Sequence, residues 1–383
     1  MAVHSVKKKS INLGSLPVWS GVQNAPGVRR QIPFGFKVED GLIRLNVEDN
    51  LKNTIVENYG NPDYSFITTP PGYSEWGTYL GRQQIGYMDT MLPKLEGKSV
   101  LEIGSGSLYI ADYFVEHNKV KQFVACDPVL RKEKSRGTIK VVANYFSYEA
   151  FKDDRFDLVL SMNNLEHVPD PFSYLNEIRK LLKKSDGLLF VMVPDCTEQL
   201  EVGDWGICLH EHLSYFTLPS FSSVVTRAGF HIDHLMSIED EIIALLSIMP
   251  VQNNSFRSEP NLDALNEKFV KSKNELGNLI QKLKISGDTP IGVHGCSVAV
   301  NHLFSLLGLD HDPDIYLFDR DEAKHGKYIP SFCRAVLDSA DPQYKNMKAI
   351  VVGNTTYFAQ IKEFALGQGI EKVYPLFSHP NNE

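Results

Sequence analysis

A glycine-rich segment, VLEIGSGS at residues 100–107, is the sharpest chemical signal in the sequence. Gly104 and Gly106 have no side chain, so the backbone there can turn tightly and approach a bound ligand closely. The next apolar run, QFVACD, ends in Asp127. An acid at the end of a second strand is placed to accept hydrogen bonds from ribose hydroxyls. The spacing therefore predicts that Gly104, Gly106 and Asp127 bind a cofactor that contains a nucleoside.

The residue at position 109 disfavours NAD as that cofactor. The dinucleotide fingerprint needs a third glycine there, because the helix must approach the strand closely. The sequence has Tyr109 instead, whose side chain is bulky. A second glycine turn, IGVHGCS at residues 291–297, also lacks the fingerprint, so no second nucleotide cofactor is expected.

The Glu102-Ile-Gly-Ser-Gly pattern resembles the first motif of the S-adenosylmethionine-dependent methyltransferases, which cradle no pyrophosphate. A later segment, FDLVLSMNNLEHVPDPFSYL at residues 156–175, resembles the fourth strand of those enzymes and the loop after it. Open α/β sheets bind ligands outside the carboxyl ends of their strands. The resemblance implies S-adenosylmethionine as the cofactor, with Glu102, Asn163 and Asn164 joining the glycine turn in binding it. His167, on the same loop, is expected to contact the cofactor or to cap the next helix.

Two histidines flank a carboxylate in the segment CLHEHLSYF, residues 208–216. Such a group can bind a metal or carry a proton. His210 and His212 point to one face of an extended chain, but no third ligand follows at a helical or strand spacing, so no metal is expected. We expect His212 to act as a general base, with Glu211 orienting the imidazole or a substrate hydroxyl and His210 as a weaker candidate. A histidine that is only packed and hydrogen-bonded is the alternative.

The order of these motifs, followed by FDRDEAKHGKYIP at residues 318–330, resembles the bacterial sugar C-methyltransferase family over nearly the whole chain. The resemblance implies a nucleotide-linked keto-deoxysugar as the methyl acceptor and a role in sugar biosynthesis. It also implies that Glu211 and His212 belong to the active site. Lys324 and Tyr328 are expected to contact the substrate, since an ammonium suits a phosphate. A solvated, charged loop is the alternative for these two residues.

The chain departs from that family at two places. Residues 11–20 lack the cysteines of the family's zinc module, so no amino-terminal zinc is expected. Leu209 stands where the family has a tyrosine, which favours oxygen or nitrogen over carbon as the methylated atom. A protein that binds S-adenosylmethionine without catalysis is a further alternative. The next candidates for the proton acceptor are three tyrosines of the amino-terminal region, Tyr64, Tyr73 and Tyr79. Tyr79 is also expected to contact the substrate.

Short apolar strands alternate with helical patterns twice along the chain, which is typical of parallel sheets in α/β domains. We therefore expect an α/β fold, with a Rossmann-like class I methyltransferase domain and a second, smaller Rossmann-like domain at the carboxyl terminus. The predicted boundaries are a loop-rich cover at 1–84, the methyltransferase domain at 85–250, a connecting helix at 251–288 and the substrate-binding α/β domain at 289–383.

Composition limits the possible partners of this 383-residue chain. Its formal net charge of −8 has the wrong sign for gripping nucleic acid over a wide face. The longest apolar runs are shorter than the ~20 residues that cross a bilayer, and Gly and Pro interrupt the amino-terminal segment where a signal peptide needs a continuous apolar stretch. The five cysteines form no CxxC pair. We expect a cytoplasmic protein with a small-molecule substrate, without nucleic acid or membrane partners, and leave its oligomeric state open.

Overall fold

A computed structural model describes residues 9–19, 21–26, 31–49, 53, 71, 75–248 and 259–378 of the chain. The chain divides into two compact units. Unit 1 combines residues 1–37, 198–210 and 261–383, and unit 2 combines residues 38–197 and 211–260. Each unit is therefore assembled from segments that are distant in sequence.

The β-strands are numbered in their order along the chain. In order they are β1 (Ser10–Pro17), β2 (Gln31–Glu39), β3 (Leu42–Leu45), β4 (Ser99–Ile103), β5 (Gln122–Cys126), β6 (Ile139–Val142), β7 (Leu158–Met162), β8 (Leu188–Pro194), β9 (Ser214–Tyr215), β10 (Phe230–Ile238), β11 (Glu241–Ile248), β12 (Ile291–His294), β13 (Ile315–Asp319), β14 (Leu337–Asp338), β15 (Ala349–Val352) and β16 (Val373–Pro375).

The α-helices are numbered in the same way. They are α1 (Glu75–Met91), α2 (Tyr109–His117), α3 (Tyr148–Phe151), α4 (Pro171–Leu182), α5 (Thr197–Val202), α6 (Leu218–Arg227), α7 (Leu262–Ile285), α8 (Val298–Leu306) and α9 (Phe358–Gly367). None of the helices in the described ranges is both long and apolar enough to cross a membrane.

Unit 2 is built on a seven-stranded sheet in the order β10-β11-β8-β7-β4-β5-β6. The strands from β8 to β6 are parallel, whereas β11 is antiparallel to both β8 and β10. Alternate residues of the central strands enter two different cores, with Val100 and Leu158 in one and Leu101 and Val159 in the other. A parallel sheet buried on both faces requires such continuous apolar runs. The predicted α/β fold of this domain is confirmed.

Unit 1 contains a smaller, wholly parallel sheet in the order β14-β13-β12-β15-β16. This is the predicted second α/β domain. An antiparallel hairpin of β1 and β2 belongs to the same unit. Phe36 of this hairpin packs its ring 5.6 Å from that of Phe269 on α7, and His302 Nε2 lies 3.1 Å from the Pro17 carbonyl oxygen.

The amino-terminal region differs from the predicted loop-rich cover at 1–84. The described part of this region contains β1, β2, β3 and the start of α1. Ile32, Phe34 and Phe36 alternate along β2 and are buried, a strand signal that Pro33 and Gly35 between them disguise.

The boundaries of the units also differ from the predicted ones. Helix α7 belongs to unit 1 instead of forming a separate connection. The segment 198–210 lies inside the predicted methyltransferase range but joins unit 1, because Trp205 is buried there and its Nε1 donates to Ser272 Oγ at 3.0 Å.

Candidate active site

The predicted cofactor turn lies at the carboxyl end of β4, where it meets the end of β5. Gly104 and Gly106 have φ values of +77° and +60°, a region that favours glycine. Asp127 Oδ2 accepts a hydrogen bond from the Gly106 amide at 2.9 Å, and its Oδ1 accepts one from the Val129 amide at 2.9 Å. The acid and the turn are thus held side by side, as the parallel pairing of β4 with β5 requires.

Asn164 explains why the turn needs glycine at position 104. A Cβ atom on Gly104 would lie 2.8 Å from Asn164 Cγ, closer than side chains approach. Asn164 Nδ2 donates to the Tyr174 hydroxyl at 2.9 Å, which holds the amide in place. The loops after β4 and β7 therefore touch, and a side chain at position 104 would collide with Asn164.

Asn163 is held in a left-handed conformation next to a buried carboxyl. Its φ is +46°, and its Nδ2 donates to Glu241 Oε1 at 3.0 Å. Gln84 Nε2 donates to Asn163 Oδ1 at 3.2 Å. Burial raises the pKa of Glu241 to about 7, against the opposing effect of the Asn163 hydrogen bond. Asn163 thus connects α1 to the start of β11 at this edge of the sheet.

Glu102 fits a role at the cofactor turn. Its side chain is only 2% exposed, and its Oε2 has no hydrogen-bond partner among the residues that the structure describes. Burial, with the nearby charge of Asp127, raises the pKa of Glu102 well above its ordinary value. A buried acid with an unused oxygen, beside a glycine turn at the carboxyl end of β4, fits a site for S-adenosylmethionine.

His212 lies against the loop that follows β7, within unit 2. Its ring centre is 4.9 Å from that of His167, at an interplanar angle of 75°. His167 Nδ1 lies 2.9 Å from the Glu211 carbonyl oxygen, and its Nε2 lies 3.5 Å from Glu166 Oε1. The Leu213 amide donates to the Glu166 carbonyl oxygen at 2.8 Å, which fixes the two segments together.

Burial makes the neutral form the favoured one for all three titratable groups of this cluster. It lowers the pKa of His167 to about 4, although the Glu211 carbonyl opposes this, and lowers the pKa of His212 well below its ordinary value. Burial also raises the pKa of Glu166 well above its ordinary value, with a contribution from the charge of Glu241. The imidazole of His212 is therefore unprotonated at pH 7, the state from which a general base acts, while the same burial weakens it as a base.

One donor atom each of Glu166, His167 and His212 lie within 4.8 Å of one another, close enough to share a metal ion. The candidate ligands in the sequence were His210 and His212, for which no metal is expected, so this group of three is a different one. The contact of His167 Nε2 with Glu166 also suits a shared proton, so the geometry by itself does not require an ion.

The remaining predicted catalytic residues divide between the units. Glu211 belongs to unit 2, is 9% exposed and contributes its backbone carbonyl to the orientation of His167. His210 belongs to unit 1, where its ring lies 5.2 Å from that of Phe34 and its Nε2 lies 3.3 Å from the Ile32 carbonyl oxygen. These contacts support packing as the role of His210.

The predicted substrate contacts have other partners in the structure. Lys324 Nζ forms an ion pair with Asp319 Oδ2 at 2.8 Å. Tyr328 forms a backbone bridge with Gln23 in unit 1. Tyr79, in unit 2, is 48% exposed and its hydroxyl accepts from Gln83 Nε2 at 2.7 Å. Tyr64 and Tyr73 lie outside the described residues.

Two acids at this edge, the buried Glu166 and the half-buried Glu241, were not among the predicted site residues. Glu166 was visible as the neighbour of His167 in NNLEHVPD, but a single acid beside a histidine has no periodic signal. Glu241 begins β11 and reaches the site only through tertiary pairing of β11 with β8.

Comparison with known proteins identifies the catalytic family. A family model described as a methyltransferase domain matches residues 80–235. The chain is 24% identical over 191 residues to the C-methyltransferase NovU of Streptomyces niveus, covering 45% of each protein. It is 31% identical over 160 residues to an uncharacterized protein of Methanocaldococcus jannaschii, covering 40% of this chain and 69% of that protein.

The chain thus spans about half the length of NovU. A solved S-adenosylmethionine-dependent methyltransferase from Mesorhizobium loti aligns with a TM-score of 0.34 and 13% identity, covering 42% of this chain and 96% of that one. With residues 80–235 as its methyltransferase domain, the chain belongs to the class I methyltransferases that use S-adenosylmethionine as cofactor.

Proposed function

We propose that the protein transfers the methyl group of S-adenosylmethionine to a small, nucleotide-linked sugar or a related anionic metabolite. The main support is that one loop of unit 2, the loop after β7, contacts both the glycine turn and His212. Asn164 touches Gly104, and His167, three residues further on, touches His212. The C-methyltransferase activity in the name of NovU supports the same proposal for this chain.

The cofactor, when bound, supplies a sulfonium carbon that a nucleophile attacks. In this proposal the backbone at Gly104 and Gly106 approaches the cofactor closely, while Asp127 accepts hydrogen bonds from its ribose hydroxyls. Asn163 and Asn164 line the same edge. Correct alignment of the two reactants is worth ~7 to 11 kcal/mol of the barrier.

His212 is the proposed proton acceptor. Its neutral imidazole takes the proton of the acceptor atom, whose electron pair then attacks the methyl carbon. Glu211 contributes by orienting the neighbouring His167 through its backbone carbonyl. Tyr79, Lys324 and Tyr328 stay proposed substrate contacts, and a phosphate would have to compete with Asp319 for the Lys324 ammonium.

Leu209 supports a second candidate, transfer to an oxygen or nitrogen atom. Forming a carbanion or enolate needs a stronger base than an alcohol or amine does. The missing hydroxyl at position 209 therefore favours the less demanding acceptor. The mapped position of the new methyl group distinguishes the two candidates.

Mass spectrometry tests the proposal with S-adenosylmethionine that carries a deuterated methyl group and a panel of nucleotide sugars. One panel member should gain the mass of that methyl group in the presence of the protein. His212→Ala should reduce turnover by about 10² to 10⁴ and leave cofactor affinity nearly unchanged. His234→Ala, at an exposed position of unit 2, is the matched control and should behave as wild type.

Two results would contradict these assignments. No transfer to any small metabolite, with the cofactor bound, would identify a binding protein without catalysis. Turnover of His212→Ala within a few fold of wild type would make His212 a structural residue, and Tyr79 would become the next candidate.

A further inference from the structure

Behind the histidine pair lies Glu166, an acid that the proposed proton transfer leaves without a role. We propose that Glu166 is a positioning residue: as a neutral carboxylic acid it donates a hydrogen bond to His167 Nε2 and so holds His167, and through it His212, in place. This inference rests on the proposed role of His212 and deepens it.

The tautomer of His167 follows from its partners. A carbonyl oxygen only accepts hydrogen bonds, so Nδ1, 2.9 Å from the Glu211 carbonyl, carries the hydrogen. In the neutral ring Nε2 then has a lone pair, and this atom faces Glu166 Oε1 at 3.5 Å. A lone pair facing an ionised carboxylate would be repelled. One proton between them removes the repulsion and leaves the pair uncharged.

The surroundings of Glu166 favour the same state. The side chain is 2% exposed, and its Oε2 has no hydrogen-bond partner among the residues described by the structure. An ionised carboxylate buried with an unused oxygen is costly, whereas a neutral acid is much less so. The contact of 3.5 Å is long, as catalytic hydrogen bonds often are before substrate binds.

Other titratable groups face Glu166 from three elements. Glu241 comes from β11, Cys196 follows β8 and Tyr174 comes from α4. Burial raises the pKa of Cys196 and of Tyr174 above their ordinary values, so both are neutral at pH 7. Glu241, whose pKa is about 7, is negatively charged above that pH, and this charge further disfavours ionisation of Glu166.

His167 transmits the position of Glu166 to His212. The two imidazole rings meet edge to face at 4.9 Å, and Tyr215 lies 6.3 Å from the His212 ring on β9. Loss of the Glu166 donor would remove one of the contacts that fix the His167 ring, which could then turn about its Nδ1 contact with Glu211. The His212 ring would then lose a fixed neighbour, which should lower kcat more than cofactor affinity.

Replacement of Glu166 by an amide and by an apolar side chain tests the inference in the full chain. Glu166→Gln keeps a donor towards His167 Nε2 and should retain turnover within about threefold of wild type at neutral pH. Glu166→Leu, of similar size but without a donor, should lose about 10- to 100-fold in kcat. S-adenosylhomocysteine affinity, measured by calorimetry, should stay unchanged in both variants.

The pH profile supplies a readout that a purely structural role would not change. A raised pKa means that the acid form exists below that pKa and is lost above it, so wild-type kcat should fall on the alkaline side. Glu166→Gln cannot ionise and should lack this fall. Glu241→Gln should keep the fall but shift it to lower pH, because the charge of Glu241 no longer raises the pKa of Glu166. This comparison decides the question even if Glu166→Leu fails to fold.

Three results would overturn the inference. Glu166→Gln as slow as Glu166→Leu would show that a negative charge is needed. Stoichiometric binding of Co²⁺, seen in its visible absorption and lost in Glu166→Gln, would identify a metal site instead. Wild-type behaviour of both variants, beside a slow His212→Ala, would remove Glu166 alone and leave the proposed function standing. Absence of transfer in the wild-type protein would instead contradict the proposed function.

Discussion

Asp127 and Asp319 perform the same structural task in the two units. Each lies at the end of the second strand of its parallel sheet and accepts a hydrogen bond from a backbone amide of the neighbouring turn. Asp127 accepts from Gly106 at 2.9 Å, and Asp319 accepts from Cys296 at 2.8 Å. Among the residues that the structure describes, an ammonium, that of Lys324, lies beside Asp319 but none lies beside Asp127. The charge of the acid in unit 1 is therefore already compensated, which argues for stability as the role of Lys324.

Lys324→Met should lower the stability of unit 1 by about 2 kcal/mol, since it removes a charged hydrogen bond from a mostly buried acid. Burial tends to raise the pKa of Asp319, but the Lys324 charge outweighs it and the pKa lies below the ordinary value of 3.8. This stabilisation is present above that ordinary value and is lost as pH falls below it. Scanning calorimetry should show a melting-temperature difference from wild type at pH 7 that narrows on acidification below about pH 4.

Unchanged melting with a raised KM for the acceptor would instead support the predicted phosphate contact of Lys324. Lys327→Met on the same loop is the control, because no shift of stability is expected there.

The conformation of the turn after β4 requires that position 104 have no side chain. Gly104→Ala would place a Cβ 2.8 Å from Asn164 Cγ, whereas Gly97, also at positive φ (+73°), has no described heavy atom within 4 Å. Both substitutions cost about 1 kcal/mol of backbone strain. Only Gly104→Ala should also weaken S-adenosylhomocysteine binding, by at least tenfold in calorimetry. Equal affinities of the two variants would remove the turn from the cofactor site.

The sequence predicted the elements whose burial depends on local pattern. Strands such as β4 and β7 are continuous apolar runs because both faces of a central parallel strand are buried. The meeting of Asp127 with Gly106 followed from the rule that parallel strands end at one edge. Strand β2 was missed because Pro33 and Gly35 resemble loop residues. The Glu166 carbonyl accepts a tertiary hydrogen bond from the Leu213 amide, a contact that no local pattern shows.

The division of the chain into two units determines where the chain can be truncated without removing part of a unit. Ending it after Ile248 removes α7 and the β12–β16 sheet but keeps β1, β2 and Trp205, which belong to unit 1. Phe36 and Trp205 would lose Phe269, to which both rings pack at 5.6 and 5.2 Å.

This truncated chain should aggregate or elute as an expanded species in size-exclusion chromatography, because exposed aromatic surface favours association. A chain ending after Ser378 is the control and should behave as the full protein. A monomeric truncated chain with full affinity for S-adenosylhomocysteine would contradict this assignment of the amino-terminal hairpin to unit 1.

The central proposal is that unit 2 binds S-adenosylmethionine at the Gly104–Gly106 turn, with Asp127 beside it. Titration calorimetry with S-adenosylhomocysteine tests it most directly, in the full chain and in Asp127→Ala. The account predicts one equivalent bound per chain and an affinity at least tenfold lower in the variant, with melting of the wild type raised by mass action. No binding by the wild type, or equal affinity in a folded Asp127→Ala protein, would contradict it.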